Sequence, residues 1–169
     1  HYPEITENQF YGNTTMMLYS TKDILNDEFR EKVYKNKKEQ EEKKIMIEDE
    51  ITYQIRGAIY DTYNTLGPGL LESVYEEALV YYLTKRGLFV ERQVEVPIEV
   101  DNYILTNPLR LDLLVEKTVI VEIKSVEQMR DLFHKQILTY LKLSKLHRGI
   151  LVNFNSDDIR RSIWSKVNG

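Results

Sequence analysis

The stretch Leu109–Lys124, LRLDLLVEKTVIVEIK, decides the fold: two apolar, β-branched runs flank the polar break Glu116-Lys117-Thr118, the pattern of a β-hairpin. Each run carries charge where a buried strand is normally apolar, Asp112 in the first and Glu122 and Lys124 in the second. With a three-residue loop, Val115 pairs with Val119 and Asp112 falls opposite Glu122. Opposed residues of an antiparallel pair share a face, with Cβ atoms about 5 Å apart, and Lys124, two residues on, projects from the same face. Two carboxylates that close are unfavourable unless one is protonated or a cation sits between them. A hard divalent cation is their natural partner. A single charged pair would read as a cross-strand salt bridge on a wet sheet face; the three charges among Leu111, Leu113, Val121 and Ile123 favour a site.

Composition bounds the rest. The chain has 169 residues, 42% hydrophobic and 30% charged, enough for one domain with a core plus an appendage. It has no cysteine, which excludes disulfides and Cys-ligated zinc and suits a reducing, cytoplasmic setting. No apolar run approaches membrane-spanning length, and a sequence that starts at His1 rather than Met carries no information on targeting. The net charge of −4 counts against a generic nucleic-acid binder. Between Arg130 and Lys166, however, eight Lys and Arg stand against three Asp, an excess able to follow a phosphate backbone or simply to wet the faces of helices.

Residues 1–47 read as an N-terminal extension. Asp23 to Lys44 begins with Ile24, Leu25, Phe29 and Val33 at helical spacing and becomes wholly polar from Lys35, as in a solvent-bridging spacer. It is expected to dock through Tyr2, Phe10, Tyr11 and Tyr19, or through Phe29 and Val33. The compact domain is expected over 48–169. Ile47, Ile51, Ile55, Ile59 and Tyr63 predict a helix stopped by Gly67-Pro68-Gly69. A second helix follows, with Leu71, Val74, Tyr75, Ala78, Leu79 and Tyr82 on one face and Gly87 closing it. Glu72 in its first turn reads, taken alone, as a carboxylate favouring the positive helix end. Val90 to Val100 alternates as one long strand, with Pro97 marking an edge or bulge. Ser125 and Gln128 have capping-box spacing for a helix whose stripe is Val126, Met129, Phe133, Ile137 and Tyr140, with Gln136 and Tyr140 on one side. Gly149–Phe154 predicts a buried strand and Asp157–Val167 a closing helix. His1, His134 and His147 are too scattered for a metal cluster, and His134 reads as a solvated helix residue.

Gly69-Leu70-Leu71-Glu72-Ser73-Val74-Tyr75 matches the Gly-x-x-Glu-x-x-Tyr signature of the GxxExxY protein family. Arg110-Leu111-Asp112, Val121-Glu122-Ile123-Lys124, Gln136 to Tyr140 and Leu151-Val152-Asn153-Phe154 resemble that family's later blocks, in order. The resemblance covers roughly residues 48–169. It implies the PD-(D/E)XK nuclease superfamily, an α/β fold with a mixed sheet flanked by helices in αβββαβ order, which the element order matches independently. It also implies roles. Asp112 is the metal-binding Asp, with Leu111 in place of the proline of the motif's name, and Glu122 and Lys124 are the Glu-x-Lys pair. Glu72 is the helix carboxylate that completes the site, and Gln136 and Tyr140 resemble the Gln-x-x-x-Tyr element that faces the site in the helicase-associated branch.

Those residue types suit phosphodiester hydrolysis. The reaction needs a cation that neutralises growing charge and activates a water. Asp112, Glu122 and the Ile123 carbonyl, with Glu72 directly or through water, are the expected ligands of Mg²⁺ or Mn²⁺, while Lys124 orients the water or stabilises the transition state. The expectation is a metal-dependent nuclease acting on DNA, or on RNA, with no membrane partner and with residues 1–47 available for a protein partner or self-association. The alternative is a non-catalytic module that keeps the fold and binds nucleic acid or protein, favoured by the acidic net charge.

Overall fold

In a computed structural model of the protein, residues 9–11, 14–16 and 27–169 are described. The docking expected of Tyr2, Phe10, Tyr11, Tyr19 and Phe29 falls on residues or side chains outside those described, and Val33 is half exposed. The chain divides into two units, residues 1–45 and 46–169. The first holds the short antiparallel pair β1 (Gln9–Tyr11) and β2 (Thr14–Met16). Helix α1 runs from Asp27 to Leu66, so the two helices expected on either side of residue 47 are one. The Lys, Glu and Gln of Lys35–Lys44 are all good helix formers, so loss of the apolar stripe there does not end the helix. No helix among the described residues is long and apolar enough to cross a membrane.

Residues 46–169 build a five-stranded mixed sheet. Its strands are β3 (Val90–Val96), β6 (Leu109–Val115), β7 (Val119–Lys124), β8 (Arg148–Asn153) and β9 (Ile163–Val167), adjacent in that order. Only β7 and β8 are parallel, joined by helix α3 (Asp131–Ser144). Helix α2 (Glu72–Lys85) precedes β3. One face of the sheet, with Val121, Ile123 and Val152, packs on Ile55 and Ile59 of α1 and Tyr75 and Leu79 of α2. The other places Ile120 against Leu141 of α3. A Cβ at Gly149 would lie 3.0 Å from Ile137 Cδ1, so glycine lets α3 approach β8 closely.

Several expectations are corrected. The long strand stops at Val96; Pro97 has no N–H to donate, and the chain turns into the small pair β4 (Glu99–Val100) and β5 (Tyr103–Ile104). Ile47 of α1 is 51% exposed, and Leu71 is 74% exposed because the buried face of α2 is Tyr75, Glu76, Leu79 and Leu83. Ser125 does not cap a helix, since α3 begins at Asp131; its hydroxyl donates to the Leu70 carbonyl at 2.5 Å. The closing helix is instead a 3₁₀ turn, Ile159–Arg161, followed by β9. Asp158 accepts the Arg160 N–H at 3.1 Å and caps that turn. The open edge of β8 then takes Ile163–Val167 as an antiparallel partner.

Candidate active site

The β6–β7 hairpin has the odd register that its charges require. Leu113 pairs with Val121 and Val115 with Val119, across a connection in which Glu116 and Lys117 both have positive φ. That register sets Asp112 opposite Glu122, where the regular ladder ends. Side chains splice the strands instead: Asp112 Oδ2 accepts the Ile123 N–H at 2.8 Å, and Glu122 Oε1 accepts the Asp112 N–H at 3.3 Å. Lys124 Nζ lies 4.0 Å from Glu122 Oε2 and 5.1 Å from the centre of the Phe133 ring, which restrains its long side chain.

Burial dominates the electrostatics. Glu122 is 3% exposed, and its carboxyl is pushed from 4.5 up to about 8 by burial first and the Asp112 charge second, against the pull of Lys124. Asp112 is also raised, chiefly by burial, with Glu76 and Glu72 adding to the push while the Ile123 N–H and Lys124 oppose it. Desolvation disfavours the charged form of each, and one ammonium does not offset two buried carboxylates.

Glu72 opens α2 beside the pair, held by the Ser125 N–H at 3.2 Å. The signature's other residues build its platform. Gly69 has φ +96°, a conformation glycine adopts without strain. Tyr75 stacks on Phe154 with ring centres 4.5 Å apart; its hydroxyl donates to the Gly67 carbonyl at 2.6 Å and accepts the Leu70 N–H at 3.1 Å. The tyrosine thus fixes the turn from which Glu72 projects. From α3, the Gln136 amide donates to the Tyr140 hydroxyl. The Tyr140 hydroxyl is raised by burial, opposed by the Gln136 hydrogen bond, and raised further by the charges of Glu122 and Asp112. The structure therefore brings Asp112, Glu122 and Lys124 together, keeps Glu72 and Tyr140 within their field, and links Gln136 to the group only through Tyr140. Among the described residues no three His, Cys, Asp or Glu side chains are grouped closely enough to hold a metal.

Two participants have no obvious sequence signal. Glu76, 7% exposed, accepts Arg92 Nε at 2.8 Å and Gln93 Nε2 at 2.6 Å. The hint was its position four residues after Glu72, on the same side of a helix. Gln93 occupies the register position opposite Asp112 and has φ 50°, a strained backbone for a non-glycine residue in a strand. Around this step the strand pair changes its packing: Leu113 and Val115 join the cluster of α1 and α2, whereas Leu109 and Leu111 join Ile120 and Leu141.

A family model, the PD-(D/E)XK nuclease superfamily, matches residues 49–166. The chain belongs to the PD-(D/E)XK nuclease superfamily. Nucleases of this superfamily generally use divalent metals. Among solved structures, the crystal structure of SSO0001 is similar, with 24% identity, a TM-score of 0.45 and coverage of 57% of this chain and 50% of that one. The chain thus matches about half the length of that protein. No curated protein matches.

The donor set fits a hard cation. Asp112 and Glu122 offer only oxygen, both are held away from water, and once ionised their combined charge exceeds that of Lys124. Mg²⁺ is commonly bound through one or two carboxylates while keeping several waters, so two suffice without a third carboxylate in the cluster.

Proposed function

We propose that the domain hydrolyses phosphodiester bonds in DNA, with RNA as the second substrate, in a reaction dependent on Mg²⁺ or Mn²⁺, and that it is of the GxxExxY type. The observation that carries this reading is the splice itself: Asp112 and Glu122 cross-linked through backbone N–H groups, with Lys124 4.0 Å from Glu122. When bound, the cation supplies charge neutralisation and an activated water. Asp112, Glu122 and the Ile123 carbonyl would hold it, with Glu72 contributing from the helix end. The two backbone donors keep the carboxylates fixed, so their geometry is set before substrate arrives. Lys124, confined between Glu122 and Phe133, offers an ammonium N–H to the attacking water or to a phosphate oxygen. Tyr140, whose hydroxyl burial keeps protonated, presents an O–H from α3, and Gln136 fixes its direction. The turn anchored by Tyr75 and the order of the motifs support the GxxExxY assignment.

The same splice favours a second reading, a non-catalytic binding module, because each carboxylate also serves as a partner for a backbone N–H. Titration calorimetry with Mg²⁺ separates them. The nuclease reading expects cation binding that disappears in Asp112→Asn; absence of Asp112-dependent binding leaves the module.

A further inference from the structure

Beside the site, an open groove of about 580 Å³ runs along the carboxyl end of β8 to Trp164 of β9, lined also by Met129, Asn155, Glu127 and Asp157. A smaller apolar pocket, bordered by Leu71 and Ser125, shares Glu127 and Asn155 with it. Two of its lining residues adjoin the site: Leu71 precedes Glu72 in the chain, and the Ser125 N–H holds Glu72 at 3.2 Å. The register fixes the far end. Glu122 pairs with Leu151, and Leu151 with Trp164, so Trp164 and Glu122 share one face, two strand spacings or about 10 Å apart. Trp164 is braced edge-to-face by His134 of α3, with ring centres 5.1 Å apart.

The lining selects its occupant. Three carboxylates, of Glu127, Asp157 and Asp158, line it against Arg161, and Arg161 is already paired with Asp158 at 3.6 Å, so no lining cation is left for a phosphate. An indole, a thioether and an unpaired amide suit a flat heteroaromatic ring with polar edges. The Asn155 side chain offers donor and acceptor together; its backbone N–H donates to Asn153 Oδ1 at 3.2 Å, while its carboxamide makes no hydrogen bond among the described residues. We infer that this groove receives an unpaired nucleobase one or two nucleotides from the phosphate at Asp112 and Glu122, stacked on Trp164, so that the substrate is single-stranded or locally unpaired at that point. The inference rests on the nuclease reading of the adjoining site and adds to it the form of the substrate. A base inside a duplex has its faces covered by its neighbours and its edge by its partner, and cannot enter without being extruded.

Trp164 is the single tryptophan of the chain, so its fluorescence reports the groove directly. The intact protein is titrated with a single-stranded DNA dodecamer, an abasic dodecamer of the same backbone and a duplex, in chelator at low salt and again with Mg²⁺. Quenching by the single strand that neither the abasic chain nor the duplex reproduces is expected. No quenching in either condition, or equal quenching by the abasic chain or the duplex, overturns the proposal. Anisotropy of a labelled strand is expected to show about tenfold weaker binding for Trp164→Ala, since stacking on an aromatic ring is the main contribution lost, and near-full affinity for Trp164→Phe; unchanged binding by Trp164→Ala overturns it. If circular dichroism shows Trp164→Ala unfolded, Asn155→Ala takes its place, with about fivefold weakening expected from one lost hydrogen bond and no change overturning the proposal. Cutting retained without quenching removes the groove alone. Quenching retained without any cutting removes the nuclease reading and leaves the groove.

Discussion

Replacing Glu122 by Gln in the metal-free protein should stabilise it, by an amount that grows with pH. Gln has nearly the shape of the protonated carboxyl, and its amide oxygen can still accept the Asp112 N–H that Glu122 Oε1 accepts at 3.3 Å. In the unfolded chain Glu122 ionises near 4.5, whereas in the fold it does so at about 8. Between those values the native state holds a proton that the unfolded state has released, so native stability falls as pH rises through this window. Below pH 4.5 the contribution is fully present; above pH 8 it has been lost. The loss relative to pH 4 is roughly 3 kcal/mol at pH 7 and roughly 5 kcal/mol by pH 9, at about 1.4 kcal/mol per tenfold change. Glu122→Gln escapes this loss, and subtracting the two proteins cancels groups they share, such as Asp158, whose carboxyl is lowered by Arg160. Urea unfolding of both proteins in chelator at pH 4, 7 and 9 measures the difference. Mg²⁺ should reverse the ranking at pH 8, because ligand binding stabilises only the protein that retains the ligand set. A Glu122→Gln advantage that is flat with pH, or a loss of stability at every pH, refutes the reasoning.

Further outcomes follow from other parts of the fold. Lys124→Ala should abolish cutting while calorimetry still detects Mg²⁺, because an ammonium is not a ligand; loss of both would place Lys124 in holding the carboxylates rather than in the chemistry. Tyr75→Phe removes the hydroxyl bonded to Gly67 and Leu70, at a cost of about 1–3 kcal/mol in urea unfolding, and should weaken cutting through the displaced Glu72. Full cutting would show that the turn needs no anchor. Trypsin should cut first within Lys35–Lys44, a solvent-exposed stretch of α1, leaving a stable fragment that begins near residue 48. Unfolding of that fragment would make 1–47 part of the core.

The sequence carried the hairpin register because strand periodicity is two and a three-residue break admits only one facing. It carried the Glu72 turn because Gly69 and Tyr75 are local to it. It misread 157–167 because Ile159, Ile163 and Val167 recur every four residues as in a helix, while β-branched Ile163 and Val167 and aromatic Trp164 equally suit a strand. The unpaired edge of β8, a tertiary fact, decided between them. Ser125 failed as a cap for a similar reason: its hydroxyl goes to Leu70, 55 residues away in the chain. The left-handed backbone of Gln93 and the buried Glu76 belong to the neighbourhood of Asp112, and no local propensity announces either. Nor does the pattern of charges show that Asp112 and Glu122 take backbone N–H groups where the ladder breaks.

The most direct test of the central claim is cutting itself. Single- and double-stranded DNA and RNA are incubated with the protein and with Asp112→Asn, in Mg²⁺, in Mn²⁺ and in chelator, and the products are resolved on a denaturing gel. Metal-dependent cutting of DNA by the protein, none in chelator and none by Asp112→Asn, is the predicted result. All substrates intact under both metals, or equal cutting by Asp112→Asn, would contradict it.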